Sequence, residues 1–286
     1  MPDHKRLGEL RAKRPLIHCI SNIVTANDCA NVALAVGASP IMAQAVEEMA
    51  DISRASSAEV LNTGTPDEAK FDAALACARI SGAEGRPVVI DPVGVGASPW
   101  RLRRVRGLLE IPARGIVRVN LAEARALLSL SGREQGVDSP ERASEDERAA
   151  TARALAAALG RSVLLTGPQD IAAGPDGTAY AMPGGSALMA YVTGTGCMLS
   201  VLCGAFAAVE PDMTAAAALA SAFWKLCAAR AEENAAGRGP GSFRAALLDA
   251  AWAITADEFH TACGGGCRRV AAAGGMQGLK VPARPF

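Results

Sequence analysis

Apolar residues along the chain fall into two kinds of run. Short unbroken runs bounded by turn residues stand at 16–20, 60–62, 87–90, 115–119 and 162–165. Longer segments with Ala and Leu at helical spacing alternate with them, at 26–36, 67–80, 121–130 and 144–159. A short continuous apolar run reads as a strand covered on both faces, and the periodic segments read as helices. Thr25 or Asn27 caps the first of these helices. Residues 171–173 and 179–182 flank Pro175-Asp176-Gly177 and predict a hairpin. Three Ala-rich helices follow the glycines at 194 and 196. The alternation predicts a mostly parallel central sheet between two helical layers, α/β/α. The charged stretch 132–147 reads as a surface loop leading into a helix. From Cys263 onward the composition turns to Gly, Ala, Arg and Pro, which reads as a loose tail. We expect a single α/β domain over residues 1–262 and a tail over 263–286.

Polar residues punctuate the carboxyl ends of the predicted strands. Asn22, Gly64, Asp91-Pro92, Arg118 with Asn120, and Thr166-Gly167 all stand there. In open α/β sheets ligands bind along that edge, so these positions define a candidate site. The segment 192–200, VTGTGCMLS, brings small residues up to an apolar helix. Backbone amides at such a helix start have no intrahelical acceptor, and glycine lets an anion approach them. Gly194 and Gly196 thus suit an anion such as a transferring phosphoryl group. No Gly-Lys-Ser/Thr follows, so this is not a Walker loop, and the GxGxxG spacing of a dinucleotide fingerprint is missing. Cys197 falls in the first turn, where the helix dipole lowers a thiol's pKa. It reads as a general base, a nucleophile or a buried filler. Asp91 at a strand end suits a Mg²⁺ ion, often through water. Glu123 reads as a carboxylate at a helix start, and the Arg118 guanidinium suits a phosphate.

Composition narrows the function. Half of the residues are hydrophobic and 20% are charged, which gives ample material for a core. Lys plus Arg and Asp plus Glu both number 29, and aromatics are 4%, so nucleic acid is not an expected partner. The apolar runs near 198–209 and 215–224 fall short of the roughly 20 residues that cross a membrane. They read as buried helices. Eight cysteines sit mostly in apolar or Ala-rich surroundings, and the first 14 residues are polar and charged. Both point to a reducing, cytoplasmic setting. Cys263, Cys267 and His260 form an incomplete zinc pattern, with a flexible tail as the plainer reading.

With these segments assembled, the sequence closely resembles the hydroxyethylthiazole kinase family of the ribokinase-like superfamily. The resemblance is carried by HCISN at 18–22, NDCAN at 27–31, GASPIM at 37–42, NTGT at 62–65 and DPVGVGA at 91–97. It continues through Arg118, Asn120 and Glu123, GVDS at 136–139, Thr166-Gly167, the segment 192–200, and GPGSF at 239–243. It implies a ribokinase-like fold and ATP-dependent phosphorylation of the hydroxyl of 4-methyl-5-(2-hydroxyethyl)thiazole, for thiamine phosphate synthesis or salvage. It implies that Met42 and Gly194 contact the thiazole with Asn22 and Val24 nearby. Arg118, Thr166 and Gly196 would serve the ATP phosphates, and Asp91 and Glu123 would hold Mg²⁺ directly or through water. Cys197 stands where most ribokinase-like kinases carry an aspartate base. The family implies a homotrimer with active sites between subunits. Val119 departs from the glycine usual between the matching Arg and Asn, and is expected to crowd a nucleotide phosphate. Three alternatives stand beside this reading: a kinase of another small alcohol such as hydroxymethylpyrimidine, a thiol hydrolase pairing Cys197 with His18, and a binding protein without turnover.

Overall fold

The computed structural model describes residues 2–129, 143–263 and 267–271. The motif at 136–139 and most of the expected charged loop lie outside them. The chain order is α1 (Arg6–Lys13), β1 (Leu16–Ile20), α2 (Ala26–Val36), β2 (Ser39–Ile41), α3 (Met49–Ala55), β3 (Ala58–Asn62), α4 (Glu68–Ala83) and β4 (Val88–Asp91). It continues with α5 (Pro99–Leu109), β5 (Gly115–Asn120), α6 (Leu121–Ser129), α7 (Glu145–Leu159), β6 (Ser162–Thr166), β7 (Asp170–Ala173) and β8 (Ala179–Met182). The described chain closes with α8 (Thr195–Ala207), α9 (Met213–Ala235), α10 (Pro240–Ala253), α11 (Ala256–Cys263) and β9 (Arg268–Arg269).

The sheet order is β2-β1-β3-β4-β5-β6-β7-β8-β9. Neighbours from β2 through β6 pair in parallel. The β7–β8 hairpin and β9 add an antiparallel flank. This is the expected α/β/α arrangement. The strands' period of two sorts their side chains into two cores. Ile17, Cys19, Val60, Val89, Ile116 and Leu164 pack with α2, α8, α9 and α10. Ile20, Leu61, Val88 and Ile90 face α4, and Val117, Val119, Val163 and Leu165 face α6 and α7. Burial on both faces is why these strands read as continuous apolar runs. The runs at 198–209 and 215–224 are interior stretches of α8 and α9.

Several elements differ from the sequence expectations. The polar N-terminal stretch forms α1, whose Leu7 and Leu10 alone reach the core. Helix α5 follows a Ser98 cap with Pro99 in its first turn, and its four arginines, with leucines at mixed positions, hide the helical period. Strand β2 is only three residues long and half-buried. The expected loose tail contributes an edge strand: β9 pairs with β8, and Cys267 beside it is buried, which raises its thiol pKa to about 11. Among the described residues Cys267 joins no cluster of metal ligands, and the side chain of Cys263 lies outside them.

Candidate active site

The period-two alternation decides which residues share the site. On the α8 side, the last inward position of each central strand is polar: Asn62 on β3, Asp91 on β4, Arg118 on β5 and Thr166 on β6. Asn62 and Asp91 are register partners, as are Asn120 and Thr166, so these polar ends line up at one sheet edge. The start of α8 lies over them.

Asp91 is the hub. Its Oδ1 accepts from Arg118 Nη2 at 2.8 Å, and its Oδ2 accepts from Asn62 Nδ2 and Ser200 Oγ, each at 2.8 Å. The carboxylate has no solvent exposure. Arg118 also donates to Ser200 Oγ at 3.3 Å and to Thr166 Oγ1 at 3.4 Å. Burial works against its charge, but Asp91 and Glu123 hold the guanidinium more firmly protonated than usual. Ser200 lies one turn beyond Cys197 on α8, on the same helix face. Its signal in the sequence was a lone hydroxyl in an apolar helix, which reads as filler until the strand ends are brought beneath it.

Cys197 Sγ receives two amides. Asn22 Nδ2 lies at 3.3 Å and Asn62 Nδ2 at 3.2 Å, and the two side chains are joined by Asn22 Nδ2 to Asn62 Oδ1 at 3.2 Å. Asn22 in turn holds its own loop, because its Oδ1 accepts from the backbone of Val24 and Thr25. The expected lowering of the Cys197 pKa does not hold. Burial raises it above the ordinary thiol value, Asp91 raises it further, and Thr25, Arg118 and Asn62 only partly offset them. Loss of water on burial is the largest of these influences and disfavours the thiolate.

Gly194 precedes α8 at φ +86°, and the first intrahelical bond runs from Met198 N to Gly194 O. A Cβ at 194 would meet Thr25 Cγ2 at 2.6 Å, and one at 196 would meet Arg118 Nη1 at 2.9 Å. Glycine is required at 194 by both conformation and space. Gly194→Ala is therefore expected to lower the unfolding free energy by about 1–3 kcal/mol, because the left-handed backbone and the Thr25 contact cannot both relax. Urea unfolding of wild type and variant checks this, and an unchanged midpoint would refute it. From Gly196 and Arg118 a cleft of about 870 Å³ runs past Thr166 and Gly167 to Gly184, Trp224 and Lys225. Trp224 and Lys225 were not singled out in the sequence, since each lies in the middle of an Ala-rich helix.

Glu123 belongs to a different feature. Its Oε2 accepts from Asn120 N at 2.9 Å while Asn120 Oδ1 accepts from Glu123 N at 2.8 Å, a capping box at the start of α6. Its Oε1 accepts from Gly94 N at 3.0 Å. The residue thus ties the loop after β4 to the end of β5.

A model of the hydroxyethylthiazole kinase family matches residues 7–257. The hydroxyethylthiazole kinase of Leptospira biflexa is 41% identical over 249 residues, which cover 87% of this chain and 91% of that one. That of Methanocella arvoryzae is 38% identical over 252 residues, covering 88% and 93%. The chain belongs to the hydroxyethylthiazole kinase family. A solved structure of the family, from Pyrococcus horikoshii OT3, superposes with a TM-score of 0.84 at 32% identity, over 93% of this chain and 98% of that one. An ADP/ATP-dependent NAD(P)H-hydrate dehydratase of Bacillus subtilis, at 17% identity and a TM-score of 0.57 over 88% and 93% of the chains, shares the fold alone.

Of the residues picked out by the family resemblance, the structure gathers Asn22, Asp91, Arg118, Thr166, Gly194, Gly196 and Cys197 around the start of α8. Glu123 stands at their edge through its capping box. Val24 is tied to this group through its backbone N–H, which donates to Asn22 Oδ1 at 3.1 Å, whereas among the described residues Met42 makes no side-chain hydrogen bond to it; the side chains of both are exposed, along with Ile23 and Val46. Val119 does not crowd a nucleotide. It is one residue out of phase with Arg118 and is fully buried among Val117, Leu121 and Leu165 on the far face of the sheet. His18 is likewise out of phase. It lies on the α4 side against Glu59 and Cys77, whereas Cys197 lies on the α8 side, so the two cannot form a hydrolase pair. The close contact of His18 Nδ1 with Glu59 Oε2 leaves no space for a metal ion between them.

Proposed function

We propose that this chain, a kinase of its family, transfers the γ-phosphoryl group of ATP to the hydroxyl of 4-methyl-5-(2-hydroxyethyl)thiazole, making the monophosphate used for thiamine phosphate. One observation carries the reading: an anion-facing helix end, the Arg118 guanidinium and the Cys197 sulfur converge at one point of a chain of this family. The thiazole stands near Asn22, Gly194, Val24 and Met42. The phosphates lie against the α8 amides at Gly196, with Arg118 and Thr166 below and the cleft toward Lys225 for the rest of the nucleotide. The substrate O–H proton passes to the Cys197 thiolate as its oxygen attacks phosphorus. Phosphoryl transfer needs little base assistance when charge and position are supplied, so a sparsely ionised thiol suffices.

Mg²⁺ is part of this reading. Carboxylate oxygens suit a hard cation. Asp91 Oδ2 already accepts two bonds and the side chain is sealed from solvent, so direct ligation there does not fit. Each Glu123 oxygen accepts one bond and keeps a lone pair, which fits a metal-bound water. When bound, the ion would neutralise phosphate charge that develops during transfer. A homotrimer with sites between subunits is also part of it. Ile23, Val24, Met42 and Val46 form an exposed apolar rim beside the site, which a second copy would cover. No described helix is long and apolar enough to cross a membrane. Cys19, Cys29, Cys77, Cys197, Cys203 and Cys267 are free thiols, which supports the cytoplasm.

A coupled ADP-release assay with ATP, Mg²⁺ and hydroxyethylthiazole tests the proposal, with hydroxymethylpyrimidine as control. Thiazole-dependent turnover is expected. Its absence in protein that still binds ATP would overturn the substrate. Cys197→Ser is expected to lower kcat by about 10²-fold, and Cys197→Asp to retain or raise it. Because the thiol pKa is raised, wild-type kcat/KM should climb as pH rises from about 7 to 9, and the aspartate variant should be flatter there. Equal kcat in all three proteins would remove the base from residue 197.

A further inference from the structure

Lys70 is a buried cation that no role described so far uses. It lies in the first turn of α4, where Asp67 Oδ1 caps its backbone amide at 2.7 Å, and it is 3% exposed. A lysine at a helix N-terminus opposes the helix dipole. Among the described residues no carboxylate lies within ion-pair distance of its ammonium. Burial pulls its pKa down to about 8, and Asp67, Cys197 on α8, Asp91 on β4 and Arg101 on α5 act on it only at longer range. A methionine would fill the space without a desolvation cost. Packing therefore gives no reason for a lysine at this position.

The partners of the ammonium do give one. Lys70 Nζ donates to Ser21 O at 2.9 Å and to Gly64 O at 2.6 Å. Ser21 precedes Asn22 in the loop after β1. Gly64 lies in the loop after β3, and its amide donates to Asn62 Oδ1 at 2.8 Å. The loops are tightly packed at this point: a Cβ on Gly64 would meet both Asn22 Cβ and Asn62 Oδ1 at 3.0 Å. Thr65, next in the loop, is held at φ +43°, which a β-branched residue adopts only when its surroundings impose it. Its Oγ1 accepts from Ile23 N at 3.2 Å, a second tie between the same loops. These are the loops whose asparagine amides meet the Cys197 sulfur.

We infer that Lys70 is a positioning residue for Cys197: its ammonium fastens the loops after β1 and β3 so that the Asn22 and Asn62 amides stay on Sγ, and it adds positive charge behind them. The inference rests on the reading of Cys197 as the base, and it deepens that reading. An amide donor and a nearby cation both favour a thiolate over a thiol. The path from the ammonium to the sulfur is continuous, through Gly64 and the Asn62 side chain.

The test compares full-length wild type with Lys70→Met, Lys70→Gln and Lys70→Arg. The first readout is the pH dependence of iodoacetamide alkylation at Cys197, followed on its own peptide by mass spectrometry. Cys197 is 9% exposed and the other described cysteines 3% or less, so it reacts distinctly. The second readout is the separation of kcat from KM with ATP and hydroxyethylthiazole. In Met and Gln variants the alkylation midpoint is expected to rise by about half a pH unit, and kcat to fall about tenfold with the KM for ATP unchanged. Lys70→Arg should restore most of both. A wild-type midpoint in a folded Met or Gln variant, or wild-type kcat in one, overturns the inference. Two neutral variants guard against misfolding of either. The alkylation profile needs no substrate. If hydroxyethylthiazole is not turned over by wild type, the proposed function fails separately, and the midpoint alone decides the link between Lys70 and Cys197.

Discussion

Arg118→Met is expected to lower kcat/KM about 10³-fold, because it removes a guanidinium placed for developing phosphoryl charge in a site with little water. It is also expected to lower the unfolding free energy by about 3–5 kcal/mol, since it leaves a buried carboxylate without its cation. The structure sets both effects. Asp91 has no exposure, and of its three donors only Arg118 carries charge. The double variant Arg118→Met with Asp91→Asn separates the two. It removes the unpaired charge and should recover much of the stability while activity stays low. Urea unfolding and steady-state kinetics on the three proteins measure this. A single variant with wild-type kcat/KM would show that Arg118 serves the fold alone.

The second large effect lies on the opposite face of the sheet. His18 and Glu59 are both fully buried and in direct contact, and Ser81 Oγ donates to the second Glu59 oxygen at 3.2 Å. His18 Nε2 donates to Ala43 O at 2.9 Å, next to Met42. A carbonyl can only accept, so Nε2 carries a proton, and Nδ1 faces a carboxylate. Burial lowers the imidazole pKa, but its hydrogen bonds to Cys77 and Glu59 and the Glu59 charge outweigh it and raise the value to about 10. The folded pKa thus lies above the unfolded one. The stabilisation is complete below the unfolded pKa of about 6.5 and is lost as pH rises toward about 10. Glu59→Leu is expected to cost about 3 kcal/mol near neutral pH, at the low end for a broken buried pair because the imidazole can shed its proton. The difference in stability between wild type and variant should shrink steadily above pH of about 7. A difference independent of pH would mean that the pair is not ionic.

Much of the architecture was legible in the order of apolar runs. Strands buried on both faces must be continuously apolar, and β1, β3, β4, β5 and β6 announced themselves in that way. Their polar carboxyl ends and the glycines at 194 and 196 marked the site, because a parallel sheet places all such ends at one edge. The elements that stayed hidden were those with little apolar signal: α1 buries two leucines, β2 spans three residues, and β9 pairs from a stretch that reads as loose.

Side-chain phase and burial were decided only in three dimensions. Arg118 and Val119 are adjacent in sequence, yet the pleat sends one to the cleft and the other to the α6–α7 core. His18 and Cys197 read as possible partners until the sheet stood between them. Glu59 and Lys70 carry no distinguishing signal in the sequence, and only the packing of α4 against β3 buries them. The Cys197 thiol shows the same division. The sequence by itself determined that it begins a helix, which favours the thiolate. The tertiary structure placed it out of water above the buried Asp91, which favours the thiol by more. Local periodicity determines the elements because it acts between near neighbours. Charge, protonation and contact depend on which elements meet, and residues far apart in the chain settle those.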